Sequence, residues 1–176
     1  MKKYVYNAPK IKVSTKLVDI INNDKEVVGT FKREYKNILY QIIDSTVFKG
    51  DGFVQYNSYS TEGKLNYKVI KRLKMIKQSD YLINCYKGEE KVYTVTYQTL
   101  QDIAPEFLIE SRDERYVIKK MPMDWARVYY KDKEVARWKM KTTELFKVYM
   151  EIEEDSPIQD PTFFSCLFQC ILYVGD

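Results

Sequence analysis

From Phe163 to Val174 the sequence runs apolar for twelve residues, interrupted only by Ser165, Gln169, two cysteines and the hydroxyl of Tyr173. In front of this run, Asp160-Pro161-Thr162 offers a side-chain acceptor at an N-cap position, then proline at the first helical position, where a missing N–H costs nothing. The spacing predicts a helix over 161–174. At 1.5 Å per residue, twelve helical residues span roughly 18 Å, too little for a hydrocarbon core of about 30 Å. A helix that is apolar on every face must nevertheless leave water. It is therefore expected inside protein, and the rest of the chain must be able to wrap it.

The remainder reads as β. Aromatic residues make up 15% of the chain, with 16 tyrosines, and Val, Ile and Thr recur in short alternating runs bounded by Asn, Asp, Gly and Lys. The clearest run sets Phe146, Val148, Met150 and Ile152 on one face against Lys147, Tyr149, Glu151 and Glu153 on the other. Ala136, Trp138 and Met140 repeat the pattern after a Lys131-Asp132-Lys133 turn, which follows Ala126–Tyr130. Upstream, strands are expected at Lys10–Ile20, Val27–Tyr35, Ile38–Asp44, Phe53–Ser60, Leu65–Lys74, Asp80–Tyr86, Val92–Gln98, Phe107–Glu110 and Tyr116–Lys119. About a dozen strands at intervals of roughly ten residues indicate a sandwich or a barrel. Strands do not alternate with helices, which argues against a doubly wound fold. Threading the apolar helix through a closed antiparallel barrel is the most economical way to bury it, and closure also removes exposed sheet edges. The expected fold is thus mainly β, a closed barrel of about twelve strands around a C-terminal helix, formed as a single domain by residues 1–176.

Several chemistries lack their residues. There is no histidine, which removes the commonest general base and metal ligand. Cys85, Cys166 and Cys170 are an odd count without metal-ligand spacing, and reduced, buried thiols of a cytosolic protein are expected. Lys91, not arginine, stands six positions after Cys85, so a phosphatase-type cysteine loop is unsupported. The six glycines form neither a phosphate loop nor a dinucleotide fingerprint. Glu89-Glu90, Asp113-Glu114 and Glu153-Glu154 read as solvated turns or as flanks of the helix. Trp125 and Trp138 read as hairpin packing rather than as stacking platforms or membrane anchors. Tyr93, Tyr97, Tyr129 and Tyr130 suit cross-strand aromatic pairs. No apolar leader stretch occurs within Met1–Val13, and no apolar run reaches the length of a membrane helix. Neither an enzyme, nor a metal or cofactor site, nor a transmembrane segment is expected.

Charge supplies the candidate binding site. The net charge is +4, but six acids and no base follow Lys147, leaving +10 on the preceding residues. Lys64–Lys77 holds six bases and no acid. As a strand it sets Lys64, Lys68, Arg72 and Lys74 on one face, with alternate residues about 6.6 Å apart. This row is either an anion or headgroup site, or a solvated barrel wall whose lysines discourage sheet aggregation. Nucleic acid is not expected, because the net charge is small and no known motif is present.

Taken in order, Glu26-Val27-Val28-Gly29-Thr30-Phe31, the Trp125–Trp138 hairpin and Asp160-Pro161 leading into Phe163–Val174 resemble the tubby C-terminal-like superfamily, which includes tubby-like and phospholipid scramblase-like proteins. The resemblance covers nearly the whole chain, and the lysine-rich, alanine-poor composition suits a small bacterial member. It implies a barrel of about a dozen strands around a hydrophobic C-terminal helix. It also implies binding rather than catalysis, since eukaryotic tubby domains bind phosphoinositide headgroups through basic side chains. No headgroup motif matches here residue by residue. The expectation is a cytoplasmic, non-catalytic protein, peripheral to a membrane, that binds anionic phospholipid headgroups through the basic strand face. The alternative is a protein-interaction or regulatory module without a lipid ligand.

Overall fold

The computed structural model describes residues 1–73, 79–98 and 104–171. The strands are β1 (Lys2–Asn7), β2 (Val18–Asn22), β3 (Val27–Arg33), β4 (Gln55–Tyr59), β5 (Leu65–Arg72), β6 (Asp80–Cys85), β7 (Lys91–Tyr97), β8 (Glu106–Glu110), β9 (Arg115–Lys120), β10 (Ala126–Tyr130), β11 (Lys133–Lys141) and β12 (Lys147–Ile152). Helix α1 (Ile38–Thr46) lies between β3 and β4, and α2 (Pro161–Ile171) follows β12. Each strand pairs antiparallel with its neighbours in sequence, and β12 returns to β1 in a register running from Lys2↔Ile152 to Asn7↔Lys147. The barrel is thereby closed, without a free edge among its strands.

Alternation decides which side chains face inward. Val148, Met150 and Ile152 of β12 are fully buried, as are Val128 of β10 and Val95 of β7. Lys131 and Asp132 turn β10 into β11 with both residues at positive φ, the geometry of a two-residue hairpin.

Helix α2 fills the barrel. Thr162 through Cys170 are all buried, so the apolar circumference finds a wall on every side. Phe163 meets Tyr67 and Tyr93 edge-on at 5.3 and 5.6 Å, while Phe168 packs on Trp138 at 5.8 Å. The Trp138 indole N–H donates to the Tyr6 hydroxyl at 2.8 Å, satisfying the polar atom this buried ring brings inside. Fully burying each of these Phe or Leu side chains contributes about 1.5–3 kcal/mol. The helix start matches its sequence signal. Asp160 accepts from the Thr162 backbone N–H at 2.9 Å and from its hydroxyl at 2.7 Å. Gly29 is required beside it, since a Cβ there would lie 2.3 Å from Thr162 Cγ2 and 2.9 Å from the Tyr59 carbonyl.

Three local expectations are corrected. Ile38–Asp44 is not a strand but most of α1, because the Asn37 side chain accepts from the Tyr40 N–H at 3.1 Å and starts a helix. Of Lys10–Ile20, only Val18, Asp19 and Ile20 are strand, and residues 8–17 form a connection. Lys2–Asn7 is a strand that the sequence reading passed over: Tyr4 and Tyr6 face the core, but two inward positions beside Asn7 and Pro9 make a short alternation. The first and last of these errors cancel, which is why the expected strand number still agrees.

Candidate functional site

The basic row on β5 is the starting point. Lys68 and Arg72 leave the outer wall of the barrel, while Tyr67 and Val69 point inward. Each described cation of the row has a carboxylate close by. Lys64 lies 2.8 Å from Glu62 in the preceding turn. Arg72 clasps Asp80 of β6 through two hydrogen bonds of 2.8 and 2.7 Å, yet its own side chain remains about half exposed. Lys68 stands near Glu34. Burial pushes that carboxyl up, but hydrogen bonds from Tyr59 and Lys32 and the charges of Lys32 and Lys68 outweigh it and hold it below its usual range. Lys74 falls outside the described residues. Along β5, Lys64 and Arg72 are separated by about 26 Å at 3.3 Å per residue, so the row runs from one end of the barrel to the other.

The cysteines and Glu114, among the groups that nucleophilic or acid–base chemistry could use, are committed to structure. All three cysteines are free and buried. Burial pushes the Cys85 thiol up to about 11 and raises Cys166 and Cys170 as well, so the thiolate is disfavoured at neutral pH. Glu114 is more than a solvated turn residue. It accepts from the hydroxyls of Tyr93 at 2.7 Å and Tyr116 at 3.0 Å, and pairs with Lys91 at 2.7 Å. Burial pushes its carboxyl up, but these three partners outweigh it and its pKa is lowered. Trp125, half-buried in the β9–β10 connection, is covered by the Arg137 guanidinium at 4.8 Å from its ring. Among the described residues, no three His, Cys, Asp or Glu side chains group as a metal site.

A stronger feature comes from topology. Because sequence neighbours pair throughout, the connections leave alternately from two ends of the barrel. Helix α2 enters at one end, where Asp160 is held by Lys87 at 2.8 Å and by the Tyr67 hydroxyl at 3.4 Å. It exits at the other, where the charges of Arg33 and Lys71 reach Cys170. The six entry-end connections contain five bases against twelve acids. The described parts of the exit-end connections contain five of each, and one of those acids, Asp44, is sealed inside.

Apolar exposure is divided the same way. Fifteen large hydrophobic residues are exposed among the described residues, and eleven of them lie at the exit end. Met123 in the β9–β10 connection is 95% exposed and Leu145 before β12 is 71% exposed, both at positive φ. Holding a non-glycine residue there costs about 1 kcal/mol or more, and such strain gathers at functional sites. Ile11 and Leu17 share with Leu145 a groove of about 950 Å³ that Lys10, Lys16 and Lys147 also line.

The exit end is firmly built beneath this surface. Arg33 and Asp44, both buried, meet at 2.5 Å, and the Arg33 guanidinium also donates to the carbonyls of Lys12 and Gly50 at 2.8 Å. Asp44 accepts in addition from the N–H groups of Gly52 and Phe53 and from the Tyr35 hydroxyl. The pair thus ties α1 to the connection on each side of it. Nothing in the sequence reading singled out these loops, because an isolated apolar residue in a loop carries no periodic signal.

Comparison with curated proteins and with solved structures finds no match. A family model does match: that of the Tubby C-terminal like domain, over residues 4–174. The match spans nearly the whole chain and agrees with a closed twelve-strand barrel around a buried C-terminal helix, and so the chain belongs to the Tubby C-terminal like domain family.

Proposed function

We propose that the protein is a non-catalytic binding protein that associates reversibly with surfaces of anionic lipid headgroups, exit end first. The observation that carries this reading is the separation of charge and apolar surface between the ends of the barrel. An acidic entry end is repelled by an anionic surface, while Lys10, Lys16, Lys36 and Lys49, all exposed at the exit end, are drawn to it. At about 1 kcal/mol per lysine close to an anionic leaflet, four lysines supply at most on the order of 4 kcal/mol, less what the exit-end acids Glu34, Asp51, Asp124 and Glu144 oppose, which suits weak and reversible attachment. On β5, Lys68 and Arg72 flank the approaching half of the barrel, Lys74 follows them in sequence, and Lys64 at the entry end stays out of an end-on contact. A barrel whose interior is filled by α2 has no room for a substrate, which supports binding over catalysis. No described helix is long and apolar enough to cross a membrane, and the role proposed is that of a peripheral, cytoplasmic protein.

Co-sedimentation with neutral and with anionic vesicles tests the reading. Binding only to the anionic set, weakened as salt shortens the Debye length from about 10 Å at 0.1 M toward 3 Å at 1 M, is expected. Charge reversal at Lys68 should weaken it with little change in melting temperature, whereas reversal at Arg72, which leaves the buried Asp80 facing a second carboxylate, should also lower the melting temperature. Absence of binding to anionic vesicles at low salt would reject the lipid reading in favour of a protein-interaction role.

A further inference from the structure

Helix α1 is built inside out. A surface helix normally turns aliphatic residues to the core and charges to water. Here the only charged residue, Asp44, is fully buried, whereas Ile38, Leu39 and Ile42 are 74%, 58% and 53% exposed. At 100° per residue these three share an arc of about 100°, and the residues flanking them on that face are the uncharged Ser45 and Thr46. The opposite face is pinned: Tyr40 meets Phe53 edge-on at 4.8 Å, Gln41 donates to the Val13 carbonyl at 3.2 Å, and Asp44 is locked by Arg33. The exposed aliphatics therefore cannot turn inward without breaking the buried ion pair.

We propose that α1 is a membrane-insertion element, whose Ile38, Leu39 and Ile42 enter the boundary between headgroups and acyl chains of an anionic bilayer. This deepens, and rests on, the lipid reading given above. Charge complementarity selects the occupant. Lys36 stands just before the helix and Lys49 just after it, and the adjoining β1–β2 connection carries Lys10 and Lys16 beside Ile11 and Leu17. Exposed apolar side chains with exposed lysines on either side of them in sequence match a layer in which anionic headgroups lie over hydrocarbon. A second copy of the chain fits less well, since a two-fold contact through this face would set the lysines of one copy against those of the other.

The insertion adds a salt-resistant component to the electrostatic one, and this distinguishes the two. The experiment compares the full chain with I38S/L39S/I42S, using phosphatidylcholine vesicles with and without phosphatidylglycerol, at low and high salt. The wild type should retain measurable anionic-vesicle binding at high salt. The triple variant should bind at least about tenfold more weakly and lose the salt-resistant part, with an unchanged melting temperature. If the triple variant fails to fold, L39W serves instead: the emission it adds to that of Trp125 and Trp138 in the wild type should shift to the blue on vesicles and be quenched by lipids brominated in the acyl chain. Equal binding by wild type and triple variant, or an unquenched L39W on bound protein, would overturn the insertion while leaving the electrostatic reading intact. No binding by the wild type at low salt would overturn both. A wild-type dimer in sedimentation velocity that the triple substitution dissociates would assign the face to self-association and overturn the proposal.

Discussion

The two ends of the barrel solve opposite problems with the same strands. At the entry end the connections are short, from two to eight residues, and two of their acids are structural: Asp160 caps α2, and Glu114 gathers two phenols and a lysine. At the exit end, the β1–β2 and β3–β4 connections are ten and twenty-one residues long, the stabilising ion pair is hidden, and apolar side chains face out. Folding accounts for the main polar contacts of the entry end, because Asp160 caps α2 and Glu114 binds two phenols and a lysine of the wall. It does not account for Ile38, Leu39, Met123 or Leu145, whose exposure contributes nothing to burial. A surface that stability leaves unexplained is where binding is to be sought.

The largest effect expected bears on what joins the ends. Leu167→Asp or Phe164→Asp places an unpaired carboxylate in the centre of the barrel, where both side chains are fully buried, and should abolish folding as read by near-UV circular dichroism. Next, Arg33→Met leaves Asp44 buried without its partner and should cost about 3–5 kcal/mol. In a domain of this size that is a fall in melting temperature of roughly 10 °C or more. Adding Asp44→Asn to that variant should recover a large part of the loss; failure to do so would mean that the pair is not what fastens the exit end.

At the entry end, Glu114→Gln should cost about 1–2 kcal/mol at neutral pH. The carboxyl has a lower pKa folded than unfolded, so its contribution is complete above the ordinary value of 4.5 and is lost as pH falls through the folded value. The gap in melting temperature between wild type and Glu114→Gln should therefore close on acidification below that range, and a constant gap would exclude the charged partners as its source. The smallest effect on stability, within about 0.5 kcal/mol, is expected from reversing exposed lysines. Lys36→Glu with Lys49→Glu should weaken vesicle binding, whereas Lys25→Glu with Lys131→Glu at the entry end should not. Equal loss from both pairs would erase the distinction between the ends.

The core and the start of α2 at the entry end were legible in sequence, while the part played by Glu114 and most of the exit end were not. Asp160-Pro161 and the apolar run after it announce α2, and the alternation of Val148, Met150 and Ile152 announces an inward face, because both signals are local and periodic. Helix α1 was misread since Ile38-Leu39-Tyr40 and Ile42-Ile43 are as good a strand as a helix in composition, and only the contact of Asn37 with the Tyr40 N–H decides between them. The basic row on β5 was legible as spacing, but its neighbours Glu62, Glu34 and Asp80 come from the adjoining turn and strands and from the connection after β3. The gathering of apolar residues at one end was not legible at all, for it arises only when connections distant in sequence are brought together by closure.

Which end meets the membrane can be measured directly from paramagnetic broadening of backbone amide signals, using anionic bicelles that carry spin-labelled lipid. Broadening centred on residues 10–17, 36–50 and 143–146, with residues 60–64, 86–90 and 111–114 unaffected, is expected for attachment by the exit end. Broadening centred on the entry-end connections, or spread evenly around the wall of the barrel, would contradict it.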